Sequence, residues 1–350
     1  MIKKSLNKNI YLNKNLIKNI IDTICSNSIN TYILGGPPGL GKAGFISKLS
    51  KFILCHFENE NSIDTYVFES IDYSLDKVKK NKSFYLFESN THPDFFNLIN
   101  NNKSNVKKIP IDEVRNLKSF FYKTYSVSKA KIAVINKVED LSVNSLNLLL
   151  KTIEELPEKS YIFIISDDPM NIIETIKSRC ALFYVNPLNQ MAFNDFLKNE
   201  YNEKSEQEIL FLNNVCFGSP GVASKVVEKN VYGLYEDILD DLINSNSFLN
   251  FRESIIASFN AKENDFLLKI INLIINDIIK KTIYFNEQKN YLDFTLNKEK
   301  ELINKIINKN NPLKLLNLHS QIDKNMYFAD LVNLNKSDIL IDSFKDLCGI

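Results

Sequence analysis

Tyr32-Ile33-Leu34-Gly35-Gly36-Pro37-Pro38-Gly39-Leu40-Gly41-Lys42-Ala43 is the stretch that decides the fold. Its first residues form an apolar run short enough for a buried strand. Gly36 to Lys42 then fits the phosphate-loop spacing GxxxxGK. Glycines in such a loop let backbone N–H groups turn toward phosphate oxygens, and the lysine adds a point charge where the next helix begins. The spacing therefore predicts a strand, a phosphate-shaped turn at Gly36, Gly39, Gly41 and Lys42, and a helix from Lys42 onward. The residue after the lysine is ordinarily Ser or Thr, whose hydroxyl holds Mg²⁺ against the phosphates. Here it is Ala43.

A second apolar run, Ile132-Ala133-Val134-Ile135, reads as another buried strand. In a nucleotide-hydrolysing domain that strand ends in an acidic pair that holds the metal and polarises water. This one ends in Asn136-Lys137. The loop can thus be read in two ways: as a degenerate nucleotide site, or as a tight turn kept because it packs strand against helix.

Working outward, short apolar runs alternate with helical periodicity as far as about Val185. Strands are expected at Tyr32–Leu34, Phe95–Leu98, Ile132–Ile135, Tyr161–Ile165 and Leu182–Val185. Helices are expected near Lys42–Cys55, Asp112–Lys123, Val143–Glu155 and Asn171–Lys177. Near-continuous apolar strands separated by helices predict a parallel sheet covered on both faces. Residues 57–90 fit this scheme poorly; Tyr66-Val67-Phe68 and Phe84-Tyr85-Leu86-Phe87 around a lysine-rich bend suggest an inserted subdomain or hairpin. After Asn186-Pro187 the pattern becomes helical, with three short helices at Met191–Tyr201, Glu206–Phe217 and Gly221–Lys229 and longer ones beyond Val231. Phe266 to Ile279 is interrupted by Lys269, Asn272, Asn276 and Asp277, so it predicts a mostly buried bundle helix and no membrane span.

Composition narrows the function classes. The chain has 350 residues, 44% hydrophobic and 24% charged, with a net charge of +1. That balance gives no global electrostatic footprint for nucleic acid. The cysteines (Cys25, Cys55, Cys180, Cys216, Cys348) are scattered, and His56, His92 and His319 are the only histidines, so no zinc-ligand spacing exists and no metal is expected. Reduced thiols and a polar start after Met1-Ile2-Lys3-Lys4 predict a cytoplasmic protein without a signal peptide.

Four further motifs follow in order: His92-Pro93-Asp94, Ile111-Asp112-Glu113-Val114-Arg115, Leu148-Leu149-Leu150-Lys151-Thr152-Ile153-Glu154-Glu155-Leu156-Pro157, and Thr175-Ile176-Lys177-Ser178-Arg179-Cys180. Together with the loop, they make the chain resemble the clamp-loader subunits of bacterial DNA polymerase III, members of the AAA+ superfamily. The likeness covers roughly residues 1 to 230. It implies an α/β AAA+ phosphate-loop domain over 1–186, a three-helix lid over 187–232 and an all-α collar over 233–350. Two subunit types share these motifs, the hydrolysing gamma/tau type and the delta-prime type, which often lacks hydrolysis.

The departures favour the delta-prime type. Besides Ala43 and Asn136-Lys137, the family's first sensor position falls near Ser166-Asp167, where an acid would repel a terminal phosphate. Val222 stands where the family usually offers an arginine. Many relatives also carry four cysteines in the insertion that corresponds to 57–90, which here contains none. Ser178-Arg179-Cys180 is intact. By periodicity alone Arg179 reads as a charge near a helix C-terminus. The resemblance instead implies an arginine finger acting in trans on a neighbour's ATP site.

The resemblance thus implies a subunit of a DNA-directed DNA polymerase holoenzyme with its own ATPase lost and no cofactor. Its implied partners are gamma/tau and delta subunits and, through the complex, the sliding clamp and primer-template DNA, without membrane. An active AAA+ ATPase of the gamma/tau type is the alternative, and a stand-alone DNA-binding protein is a further rival.

Overall fold

The computed structural model describes residues 14–26, 29–59, 81–99, 108–243, 265–288, 297–332 and 336–348. It divides into two compact units, residues 1–188 with 219–221, and residues 189–218 with 222–350.

The first unit is built on five parallel strands: β1 (Thr31–Gly35), β2 (Phe95–Leu98), β3 (Lys131–Asn136), β4 (Ser160–Ser166) and β5 (Ala181–Tyr184). Their spatial order is β2-β3-β4-β1-β5. All five coincide with the apolar runs expected from sequence to within a residue at either end. Side chains alternate across a strand, so each central strand feeds two cores. Tyr32, Leu34, Ile132, Val134, Phe163 and Ile165 join one core with Phe45, Leu49 and Phe52 of helix α2 (Lys42–Asn59) and Ile20 and Ile24 of α1 (Lys14–Cys25). Ile33, Ala133, Ile135, Ile162 and Ile164 join the other. That second core includes Val114 and Leu117 of α4 (Ile111–Tyr122) and Leu149 and Ile153 of α5 (Val143–Glu154). This two-sided burial is why the strands carry no polar alternation.

Two segments differ from their sequence reading. Phe84-Tyr85-Leu86-Phe87 is not a strand; it lies in α3 (Lys82–Glu88). The Glu58 carboxylate accepts the N–H groups of Lys82 at 3.2 Å and Ser83 at 2.8 Å, satisfying donors that open this short helix. Phe87 then packs on Phe95, ring centroids 4.6 Å apart, while Tyr85 stays exposed. Tyr66-Val67-Phe68 lies outside the described residues. The helix expected over Asn171–Lys177 is split into a 3₁₀ turn, Pro169–Asn171, and α6 (Glu174–Lys177), with Ile172 extended between them. Burial of Ile172 in the second core holds that break.

The second unit is helical among its described residues: α7 (Gln190–Glu200), α8 (Glu206–Cys216), α9 (Pro220–Glu228), α10 (Val231–Ile243), α11 (Asp265–Gln288), α12 (Asn297–Lys309), α13 (Pro312–Val332) and α14 (Lys336–Cys348). The first three match the three short helices expected. A capping box between Ser205 and Glu208 starts α8. Along α11, Ile270, Ile271, Ile274, Ile275, Ile278 and Ile279 are all buried, as expected for a bundle helix. Asn276, one of the polar residues that interrupt the run, is buried with them. Glu299 is fully buried and accepts from Tyr235 Oη at 2.8 Å and Lys281 Nζ at 2.9 Å. Lys281 also meets Asp277 at 2.8 Å. Burial works to lower the Lys281 pKa, but the Glu299 and Asp277 carboxylates outweigh it and raise it. No helix among the described residues is long and apolar enough to cross a membrane.

Candidate nucleotide site and arginine

The glycine-rich loop lies where β1 runs into α2, at the carboxyl edge of the parallel sheet. Gly36, Gly39 and Gly41 all have positive φ, at 139°, 80° and 81°. At Gly36 the glycine is obligatory on steric grounds too, because a Cβ would stand 2.3 Å from the Val185 carbonyl oxygen. Ser219–Gly221, part of the same unit, also bond to the loop. Gly221 N–H donates to Gly39 O at 2.7 Å, and Ser219 Oγ donates to Pro38 O at 2.8 Å. A Cβ on Gly221 would approach Gly39 O to 2.7 Å, so this contact also requires glycine.

Lys42 faces its own loop. Its side chain is 4% exposed, and its ammonium donates to Gly36 O at 2.5 Å, Pro37 O at 2.7 Å and Asp167 Oδ1 at 2.9 Å. An ammonium has three donors, and these contacts use all of them. The other oxygen of Asp167 lies 3.4 Å from Lys137 Nζ. Asp167 is held from behind. Glu139 Oε1 accepts from Ser166 Oγ at 2.5 Å and from the N–H groups of Asp167 and Asp168 at 2.9 and 3.0 Å. The acid placed near the first sensor position is thus bonded to the loop lysine.

Beside the loop, Ala43, Ser47, Asn90, Asn97 and Asn136 line a cavity of about 80 Å³. A Mg²⁺–nucleotide complex needs hard oxygen ligands here, with carboxylate or hydroxyl supplied from the positions of Ala43, Asn136 and Lys137. A methyl, an amide and an ammonium stand there instead. The donor set does not fit the metal.

Arg179 lies elsewhere. Ala181 pairs with Tyr32 near the start of β1, so Arg179 sits at the amino edge of the sheet. The loop begins at Gly36, about 13 Å beyond Tyr32 along the strand direction at the usual rise per residue. Arg179 Nε and Nη2 meet Glu154 Oε1 at 2.8 and 2.7 Å, and Nη1 donates to Thr175 O at 2.9 Å. The side chain is 41% exposed and borders an open cavity of about 280 Å³ with Asn30, Thr31 and Leu156. Cys180, beside it, is buried, and that burial pushes its thiol pKa up to about 12, so it is no reactive thiolate.

His92-Pro93-Asp94 turns out to organise a loop. Asp94 is fully buried and accepts N–H groups from Ser126 at 2.9 Å, Val127 at 2.8 Å and Ser128 at 2.9 Å. Those residues connect α4 to β3. His92 Nδ1 accepts the Asp94 N–H at 3.1 Å. Burial lowers the His92 pKa, partly opposed by Asp94 and Glu58.

Five parallel strands in this order, with a glycine-rich loop after β1, define a phosphate-loop α/β domain of the AAA+ class, joined to a helical region. The family described as "DNA polymerase III, delta subunit" matches residues 12–189, half of the chain, and the chain belongs to that family. The delta' subunit of Buchnera aphidicola subsp. Schizaphis graminum is 28% identical over 259 residues, 73% of this chain and 75% of that protein. The delta' subunit of Buchnera aphidicola subsp. Baizongia pistaciae is 29% identical over 213 residues, covering 57% of this chain and 58% of its own. For Escherichia coli delta' the values are 25% over 186 residues, 53% and 51%. Against the latter two proteins the matched stretch thus spans little more than half of the relative's length.

Proposed function

We propose that the chain is a delta-prime-type subunit of the DNA polymerase III clamp loader that does not hydrolyse ATP. The observation that carries this reading is the set of residues at the metal positions: Ala43 and Asn136-Lys137 offer Mg²⁺ neither hydroxyl nor carboxylate. Without that metal the charge that develops on a transferring phosphoryl group is not neutralised. The family's delta' members support the subunit type.

In this reading the chain acts as a stator. It joins gamma/tau and delta subunits, with residues 187–232 as lid and 233–350 as collar, and through them meets the sliding clamp and primer-template DNA in the cytoplasm. Arg179 is the contribution to catalysis. It lies at the sheet edge away from this chain's own loop and is partly exposed, which suits a guanidinium offered to a neighbour's ATP site. Glu154 holds the guanidinium through Nε and Nη2 until a phosphate competes for the fork.

The test is Arg179→Ala in the reconstituted loader. An arginine finger supplied in trans is worth about 10³–10⁵ at one site. The complex should lose less, because sites served by other subunits keep their own arginines. The variant should assemble normally and show reduced clamp-stimulated ATP turnover. Lys at 179 should restore little, since an ammonium cannot make the forked contact. Wild-type loading by an assembled Arg179→Ala complex would reduce Arg179 to a helix-end charge.

A further inference from the structure

We propose that Asp167 is a built-in occupant of the phosphate loop: a tethered carboxylate that holds Lys42 and keeps polyphosphate anions out. This rests on the non-hydrolysing reading and adds what closes the site. The lysine is not merely idle. It is buried, at 4% exposure, and its donors point to Gly36 O, Pro37 O and Asp167 Oδ1. For an anion to use Lys42 in the usual way, at least the Asp167 contact must break. The incoming phosphate would also meet a carboxylate already in the place where its own oxygens would go.

Asp167 reaches that position because it is fixed on both sides. Lys42 and Lys137 take its two oxygens at 2.9 and 3.4 Å. Glu139 holds the backbone beneath it, accepting both the Asp167 and the Asp168 N–H. A carboxylate between two ammoniums, on a backbone held by a third side chain, has the sign and position of a terminal phosphate oxygen. Lys137 has positive φ, 68°, which a lysine adopts at a cost. The loop is thus held in a phosphate-ready shape by an internal anion. Loss of the metal ligands and gain of the tether are separate features, and each can be tested alone.

The experiment uses the full chain and two probes without Mg²⁺, inorganic tripolyphosphate and ATP, titrated calorimetrically at low salt. Wild type should bind both weakly. Asp167→Asn keeps the shape but removes the charge, and Asp167→Ala removes the contact. Each should bind tripolyphosphate at least about tenfold tighter, and added salt should weaken the gain. Adding Lys42→Ala to either variant should abolish it. Lysine acylation gives a second readout: Lys42 should be protected in wild type and modified in Asp167→Asn. If both folded variants bind no tighter than wild type, or if the gain survives Lys42→Ala, the tether is wrong and the non-hydrolysing reading stands. Tight Lys42-dependent binding by wild type would also overturn the tether. ATP turnover by wild type, by contrast, would overturn the function on which it rests.

Discussion

At the scale of single residues, the loop lysine is bound by the carboxylate of Asp167, which leaves Ala43 and Asn136-Lys137 facing a site already closed. Ala43 and Asn136-Lys137 stand out because the loop spacing says what should be there. Lys42 and Asp167 lie 125 positions apart, and only the parallel pairing of β1 with β4 brings their ends together. Motif spacing puts an acid near the phosphate position, while its bond to the lysine follows only from the fold. Asp94 differs: its motif points to the family, while its work is to accept three backbone N–H groups from the loop before β3. Each buried donor left unpaired costs about 1–3 kcal/mol. Asp94→Asn, which turns an acceptor into a donor, should therefore lower the stability of the first unit by at least about 1–3 kcal/mol. Thermal unfolding followed by near-UV circular dichroism checks this. An unchanged midpoint would mean that the loop is held by other contacts.

Elements were read most reliably where burial imposes one pattern. The three central strands, β1, β3 and β4, are visible because each carries an unbroken apolar run, which burial on both faces requires, whereas β2 is interrupted by Asn97 and β5 leaves Leu182 and Tyr184 exposed. Failure came where a few residues had to choose without that pressure. Phe84 to Phe87 is as apolar as a strand, yet only Phe87 is deeply buried among its large side chains, and the helix is opened by Glu58 from another element. Periodicity cannot see a cap supplied from elsewhere in the chain. The break at Ile172 was hidden for a similar reason, since it serves the packing of the second core. In the helical unit, α10, α11 and α12 share the buried Tyr235–Glu299–Lys281 cluster. Removing one partner of a buried ion pair costs about 3–5 kcal/mol. Lys281 keeps Asp277, so Glu299→Gln should destabilise the helical unit by about 3 kcal/mol, at the lower end of that range. Pairing it with Lys281→Met should recover part of the loss. Urea denaturation followed by far-UV circular dichroism would reveal both; strictly additive losses would show that the two side chains are not coupled.

For the whole molecule, composition excluded more than it identified. A net charge of +1 gives no global electrostatic attraction for DNA, so any contact the proposed subunit makes with it must be local or supplied by partners. The proposed function rests on the contrast between two ends of one sheet: a phosphate loop with Ala43 and Asn136-Lys137 at the metal positions on the carboxyl edge, and a partly exposed Arg179 at the amino edge. The first was legible from motif spacing. The second needed the strand register, which places Ala181 beside Tyr32 and so sets Arg179 apart from the loop. The measurement that tests the account most directly is ATP turnover by the purified, isolated chain in the presence of Mg²⁺. Turnover should be indistinguishable from a no-protein control, and calorimetry should find no tight Mg²⁺-dependent nucleotide binding. Steady turnover at an ordinary enzymatic rate, ~1 s⁻¹ or more, that disappears in Lys42→Ala would contradict it.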